Sequence, residues 1–222
     1  MEIKPAKQLL SPLGSLLLFF TGYFVIWYLA NSFLVRVVQG YGASLIMTAT
    51  VVLFTLLLCR LGRIPLREFG LRKERIGLQL IYGSCLAAGL LVIFIGGATL
   101  IGAAPHEYLG AATPNEPMLF INLLYYIFII GTTEEFIFRG YMLRILSDLT
   151  KSPVWGVILS SLIFGSAHYL GSGSLLQVFF TFLIGLALAF PKQYLKHCTL
   201  LSVIIAHGLY NVALEFIRWF YC

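Results

Sequence analysis

Apolar stretches alternate with short polar ones along the whole chain. They cover residues 10–34, 41–59, 76–103, 118–146, 153–170, 175–190 and 200–220. Each approaches or exceeds the roughly 17 residues that a helix needs to cross the hydrocarbon of a bilayer. The pattern predicts an all-α protein, a polytopic membrane helix bundle of about seven transmembrane helices. Pro153 suits the first turn of the fifth span, residues 171–174 (Gly-Ser-Gly-Ser) read as a tight turn, and Pro191 is expected to close the sixth span. The third span is rich in Gly and Ala, which lets helices approach closely in lipid.

Composition agrees with this reading. Of 222 residues, 59% are hydrophobic and only 11% charged, and the mean hydropathy is +0.92. A soluble domain carries about a quarter charged residues. No polar stretch is long enough for a separate soluble domain, so residues 1–222 are read as one membrane domain. The first apolar run is long enough to span and is kept as a helix rather than a cleaved signal. Cys59, Cys85, Cys198 and Cys222 have no paired spacing and read as small apolar residues.

The net charge of +6 does not point to nucleic acid, because the basic residues cluster in the loops. Arg60, Arg63, Arg67, Arg72, Lys73 and Arg75 share one loop. With that loop inside, alternation also places Lys4, Lys7, Arg144, Lys151, Lys192 and Lys196 inside, and leaves Arg36 and Arg218 outside. The positive-inside rule therefore predicts a cell-membrane protein with a cytoplasmic amino terminus and an external carboxyl terminus. Membrane lipids are its expected surroundings. His106 and His197 fall in loops or at span ends and read as solvent-exposed or interfacial.

The fourth span breaks the apolar pattern. Glu134 and Glu135 are adjacent within it, and Arg139 follows four residues after Glu135. Ionisable groups inside a membrane cost about 2.5–3.5 kcal/mol each on insertion scales, and they mark a functional site by default. Two other spans carry matching polar residues, His168 on the fifth and His207 and Asn211 on the seventh. At 1.5 Å rise per residue, Glu134, His168 and Asn211 lie about 20 Å from the inner side and His207 about 12 Å. Three spans thus deliver polar side chains to overlapping depths.

The spacing assigns faces. Glu135 and Arg139 are i,i+4 neighbours and can pair, while Glu134 points about 100° away and can serve another partner. His207 and Asn211 share a face, as do Phe164 and His168. A carboxylate and histidines in a desolvated pocket suit activation of water, since a base works best with its pKa near the working pH. Asn211 and a histidine can donate to a developing oxyanion. The set fits hydrolysis of a carbonyl compound such as a peptide bond. Glu134, His168 and His207 are also an acceptable zinc set, but the chain has no HExxH. A metal-bound water and a metal-free, glutamate-activated water both remain open.

Glu134-Glu135-xxx-Arg139, Phe164-xxx-His168 and His207-xxx-Asn211, in this order on successive spans, resemble the motifs of the CPBP family of intramembrane proteases. That family, also called the Abi or CAAX-protease family, includes the Ras-converting CAAX prenyl endopeptidases. The resemblance covers residues 117–212, and the motif residues show no departure. It implies an intramembrane endopeptidase in which Glu134 activates water with His168 as its partner. His207 and Asn211 would stabilise the oxyanion or complete a metal site, and Glu135, Arg139 and Phe164 would support them. It implies a protein or peptide substrate, lipidated or membrane-anchored, and a glutamic or zinc-dependent mechanism, the glutamic one preferred. Two other functions fit a similar pattern. A non-catalytic protein of the same fold, an immunity factor or scaffold, would not need every motif residue. A proton-coupled carrier would be expected to show two related halves with broken helices, which this sequence lacks.

Overall fold

The computed structural model describes residues 9–38, 41–71, 73–100, 102 and 115–221. Among them seven helices are long and apolar enough to cross a membrane: α1 (Pro12–Val37), α2 (Tyr41–Gly62), α3 (Ile76–Leu100), α4 (Glu116–Thr150), α5 (Pro153–Gly171), α6 (Leu175–Tyr194) and α7 (Leu200–Tyr221). No strand occurs among the described residues. The expected Lys4, Lys7, Arg72, His106 and Cys222 lie outside the described residues.

The helix starts follow from local chemistry. Ser11 and Ser152 each accept a backbone N–H of the first turn and are followed by proline, whose missing N–H costs nothing there. Asn115 caps α4 by accepting from the Met118 amide at 2.9 Å. Lys151, between α4 and α5, and Gly173, between α5 and α6, adopt left-handed backbone at φ 53 and 63. These reversals make α4, α5 and α6 antiparallel neighbours.

Pro191 does not close the sixth span. Helix α6 runs on to Tyr194, with the Leu195 amide bonded to the Pro191 carbonyl at 2.8 Å. Proline removes only its own donor, so the residues after it continue the last turn.

Helix α4 is the axis of the bundle. It is not uniform: two π-helical stretches, Tyr125–Ile130 and Phe136–Met142, flank a five-residue α segment, Gly131–Glu135. Helix α7 lies against this central part and also against α3, while α5 packs between α4 and α6. The core gathers Tyr141, Met142, Leu188, Leu200, Val203 and Ala206, none of them exposed. Phe69, from a 3-10 turn in the basic loop (Leu66–Phe69), is also fully buried. It closes the core from below, edge-on to Phe136.

Candidate active site

Two close helix contacts set the frame. At Gly131 on α4, a Cβ would lie 3.1 Å from the Gly208 amide nitrogen and 3.2 Å from the Ile204 carbonyl. Backbones therefore meet where α4 crosses α7, three residues before Glu134 and one after His207. At Gly185 on α6, a Cβ would lie 2.9 Å from that of Ser161 on α5. This close approach brings the Gly185 carbonyl to 3.4 Å from Arg139 Nη2.

Within the frame a charged chain forms. Arg139 Nη1 donates to Glu135 Oε1 at 2.8 Å. His207 Nδ1 donates to the same oxygen at 2.7 Å. The Arg139 guanidinium also stacks over the Phe164 ring, 4.2 Å from its centroid, a cation–π contact that strengthens when desolvated. Phe164 in turn sets its edge against the rings of His168 and His207, at 4.8 and 6.0 Å between centroids. Glu135, Arg139, Phe164 and His207 are all buried.

Hydrogen bonding fixes both imidazoles. Because the Phe164 carbonyl can only accept, the His168 Nδ1 2.9 Å away carries a proton. The Glu135 carboxylate does the same for His207 Nδ1. Both rings are thereby held by Nδ1 and present Nε2, the orienting device used wherever a histidine must face one way. His207 Nε2 lies 3.8 Å from Glu134 Oε2. That oxygen and Glu135 Oε2 are buried without a hydrogen-bond partner among the described residues.

Exposure divides the predicted residues into two groups. Glu134, His168 and Asn211 are half-buried, whereas Glu135, Arg139 and Phe164 are closed off. The first three can be touched by another molecule, and the second three can act only through neighbours. The structure thus gathers Glu134, Glu135, Arg139, Phe164, His168 and His207 by direct contacts. Asn211 follows one turn beyond His207 and makes no side-chain hydrogen bond among the described residues.

Among the described residues no three His, Cys, Asp or Glu side chains form a group that could hold a metal ion. His207 Nδ1 is engaged by Glu135, which leaves its Nε2 as the nitrogen directed at Glu134.

Sequence reasoning passed over a second polar group on α7. Glu215, fully buried, accepts from Asn122 of α4 and from Arg218, the latter at 2.6 Å. Tyr41 of α2 completes it by donating to Asn122. Glu215 lies eight residues after His207, on the same helix face, and that periodicity was the available signal.

A buried carboxylate–imidazole chain with reachable polar groups beside it, among helices long and apolar enough to cross a membrane, has the composition that acid–base chemistry needs. Residues 116–213 match the family model described as type II CAAX prenyl endopeptidase Rce1-like. No curated protein and no solved structure gives a significant match. Through this stretch, which runs from the start of α4 almost to the end of the α7 polar face, the chain is similar to the CAAX-protease family. That likeness points to a protease acting on peptide or protein substrates in a membrane setting.

Proposed function

We propose that this chain is an intramembrane endopeptidase whose water is activated by Glu134. The supporting observation is the buried, unpartnered Glu134 Oε2 facing the Nε2 of a histidine whose other nitrogen is anchored. Their 3.8 Å separation is longer than the roughly 2.8 Å of a direct hydrogen bond, and in this reading a water admitted with the substrate is shared between them. Glu134 takes a proton from that water as its oxygen attacks the scissile carbonyl carbon. The negative charge of Glu135 stabilises His207 as an imidazolium, which donates from Nε2 to the developing oxyanion. His168 and Asn211, both half-buried, supply the remaining polar contacts to the attacking water and the oxyanion. The carbon–nitrogen bond then breaks, and Glu134 returns its proton to the leaving amine. No step passes through a metal.

The substrate in this reading is a peptide held at the membrane by a lipid or by its own anchor. The test uses the purified full chain in bilayer discs with a prenylated peptide carrying a fluorescent reporter at its carboxyl end. The wild type should cleave it, and Glu134→Gln should lose cleavage by about 10²- to 10⁴-fold, the usual worth of a general base. Cleavage should survive a strong chelator. Wild-type rates from Glu134→Gln would remove the base assignment. Loss of activity on chelation, restored by zinc, would replace this mechanism with a metal-dependent one. A folded wild type that cleaves no membrane-anchored peptide would favour the non-catalytic role.

A further inference from the structure

Away from this site, three helix ends converge. The last turn of α6, the connection from α6 to α7 and the start of α3 enclose two adjoining cavities of about 160 and 340 Å³ that share Lys196 and Thr199. The smaller is lined by Glu74, Arg75 and His197, and the larger by Glu68, Gly70 and Lys192. Because three spans begin or end here, the cavities lie at the level of a bilayer's headgroups.

The charges in the cavities are unequally matched. Glu68 is engaged by Arg144 in an ion pair. Arg75 Nη1 lies 3.3 Å from His197 Nε2 and ties the start of α3 to the α6–α7 turn. Arg75 is held there in left-handed backbone at φ 51, a costly conformation for a residue with a side chain. Lys192 is half-buried, with Cε 3.8 Å from where a Cβ on Gly70 would be. It has no hydrogen bond or ion pair among the described residues. Lys196 is exposed and likewise unpaired among the described residues. Arg75, Lys192 and Lys196 therefore face the cavities with Glu74 as the one carboxylate there not held in a described ion pair. Exposed Tyr194 and Leu195 line the larger cavity, and exposed Ile76 follows Arg75 in the chain. A cationic floor with an apolar rim at a span end has the chemistry of a lipid site rather than of a soluble anion, since basic pockets between spans take anionic headgroups.

We propose that this pocket binds the phosphodiester of a lipid with net negative charge, its phosphate on Lys192, Lys196 and Arg75 and its chains beside Ile76 and Leu195. The assignment does not depend on the catalytic reading. In the test, the purified full chain in detergent is titrated with phosphatidylglycerol, phosphatidylcholine or inorganic phosphate, and bound lipid is read by native mass spectrometry. Phosphatidylglycerol should be retained in preference to phosphatidylcholine. Retention should fall about 5-fold in Lys196→Gln and about 30-fold in Lys192→Gln/Lys196→Gln, from the usual worth of a lysine near an anionic surface. Lys151→Gln, at the exposed α4–α5 turn, should retain as the wild type does. If the double variant fails to fold, the exposed Lys196→Gln decides alone. Equal retention of the two lipids, or unchanged retention in Lys196→Gln, overturns the proposal. Displacement of the lipid by inorganic phosphate at equal concentration overturns it in favour of a soluble-phosphate site. A raised KM for peptide in Lys196→Gln with lipid retention unchanged overturns it in favour of a substrate carboxylate.

Discussion

His207 and Glu135 meet in a 2.7 Å hydrogen bond from Nδ1 to Oε1, and Arg139 donates to the same oxygen at 2.8 Å. One carboxylate oxygen thus anchors an imidazole and neutralises a guanidinium, both out of contact with solvent. Removing Glu135 leaves a buried arginine without its counter-charge, a change that costs about 3–5 kcal/mol. Glu135→Ala should lower both the folded yield and the unfolding temperature in detergent. Glu135→Gln keeps an acceptor for Arg139 and should recover part of the yield. Its activity should stay low, because the charge that favours the His207 imidazolium is gone. Equal stability of Glu135→Ala and wild type would show that Arg139 finds another partner.

The half-buried residues should behave oppositely. Asn211→Ala should unfold as the wild type does yet lose about 10²- to 10³-fold in kcat, the effect of removing one oxyanion donor. Its KM should change little, since the contact forms mainly in the transition state. His168→Ala should likewise fold and lose turnover. Cleavage kinetics normalised to folded protein check both, and a purely raised KM for Asn211→Ala would make it a binding residue.

The α4–α7 crossing predicts a substitution far milder in chemistry than in effect. Gly131→Ala adds one methyl against the Gly208 amide and the Ile204 carbonyl, at 3.1 and 3.2 Å. Backbone cannot move aside as a side chain can, so the helices must part, at a cost of about 1–3 kcal/mol. That parting also lengthens the gap from Glu134 to His207. Activity should fall by more than stability does, whereas Gly77→Ala, whose added Cβ meets nothing within 4 Å, should change neither.

Topology follows from the loops. A reporter inserted between Arg63 and Pro65 should read as cytoplasmic, and one fused after the end of α7 as external, given the bias of Lys and Arg toward one side. Both reporters on the same side would contradict seven crossings.

The seven spans were legible because their apolar runs match helix lengths, and most site residues because ionisable groups in such runs stand out. Four features were not. Periodicity cannot distinguish which of Glu134 and Glu135 faces His207; in the fold both do, on its two nitrogens. The role of Phe69 was hidden in a loop that composition marks only as basic. The continuation of α6 past Pro191 depends on carbonyl and amide partners that residue identity does not specify. The pairing of Asn122 with Glu215 joins residues 93 apart, a contact that needs the fold to be seen.

The two π stretches of α4 give that helix a phase as well as a length. Each widens a turn from i→i+4 to i→i+5 bonding, so the five residues bearing the carboxylates sit between two rotational offsets. Deleting one residue within Phe136–Met142 would leave a rod still long enough to span. Made before Arg139, at 136–138, the deletion would nonetheless swing everything after the cut by about 100° relative to Glu135, taking Arg139 out of alignment while Glu134, Glu135, Arg139 and His207 all remained present. Angular registration along one rod, and not only the inventory of acids and bases, is therefore part of what this chain must preserve.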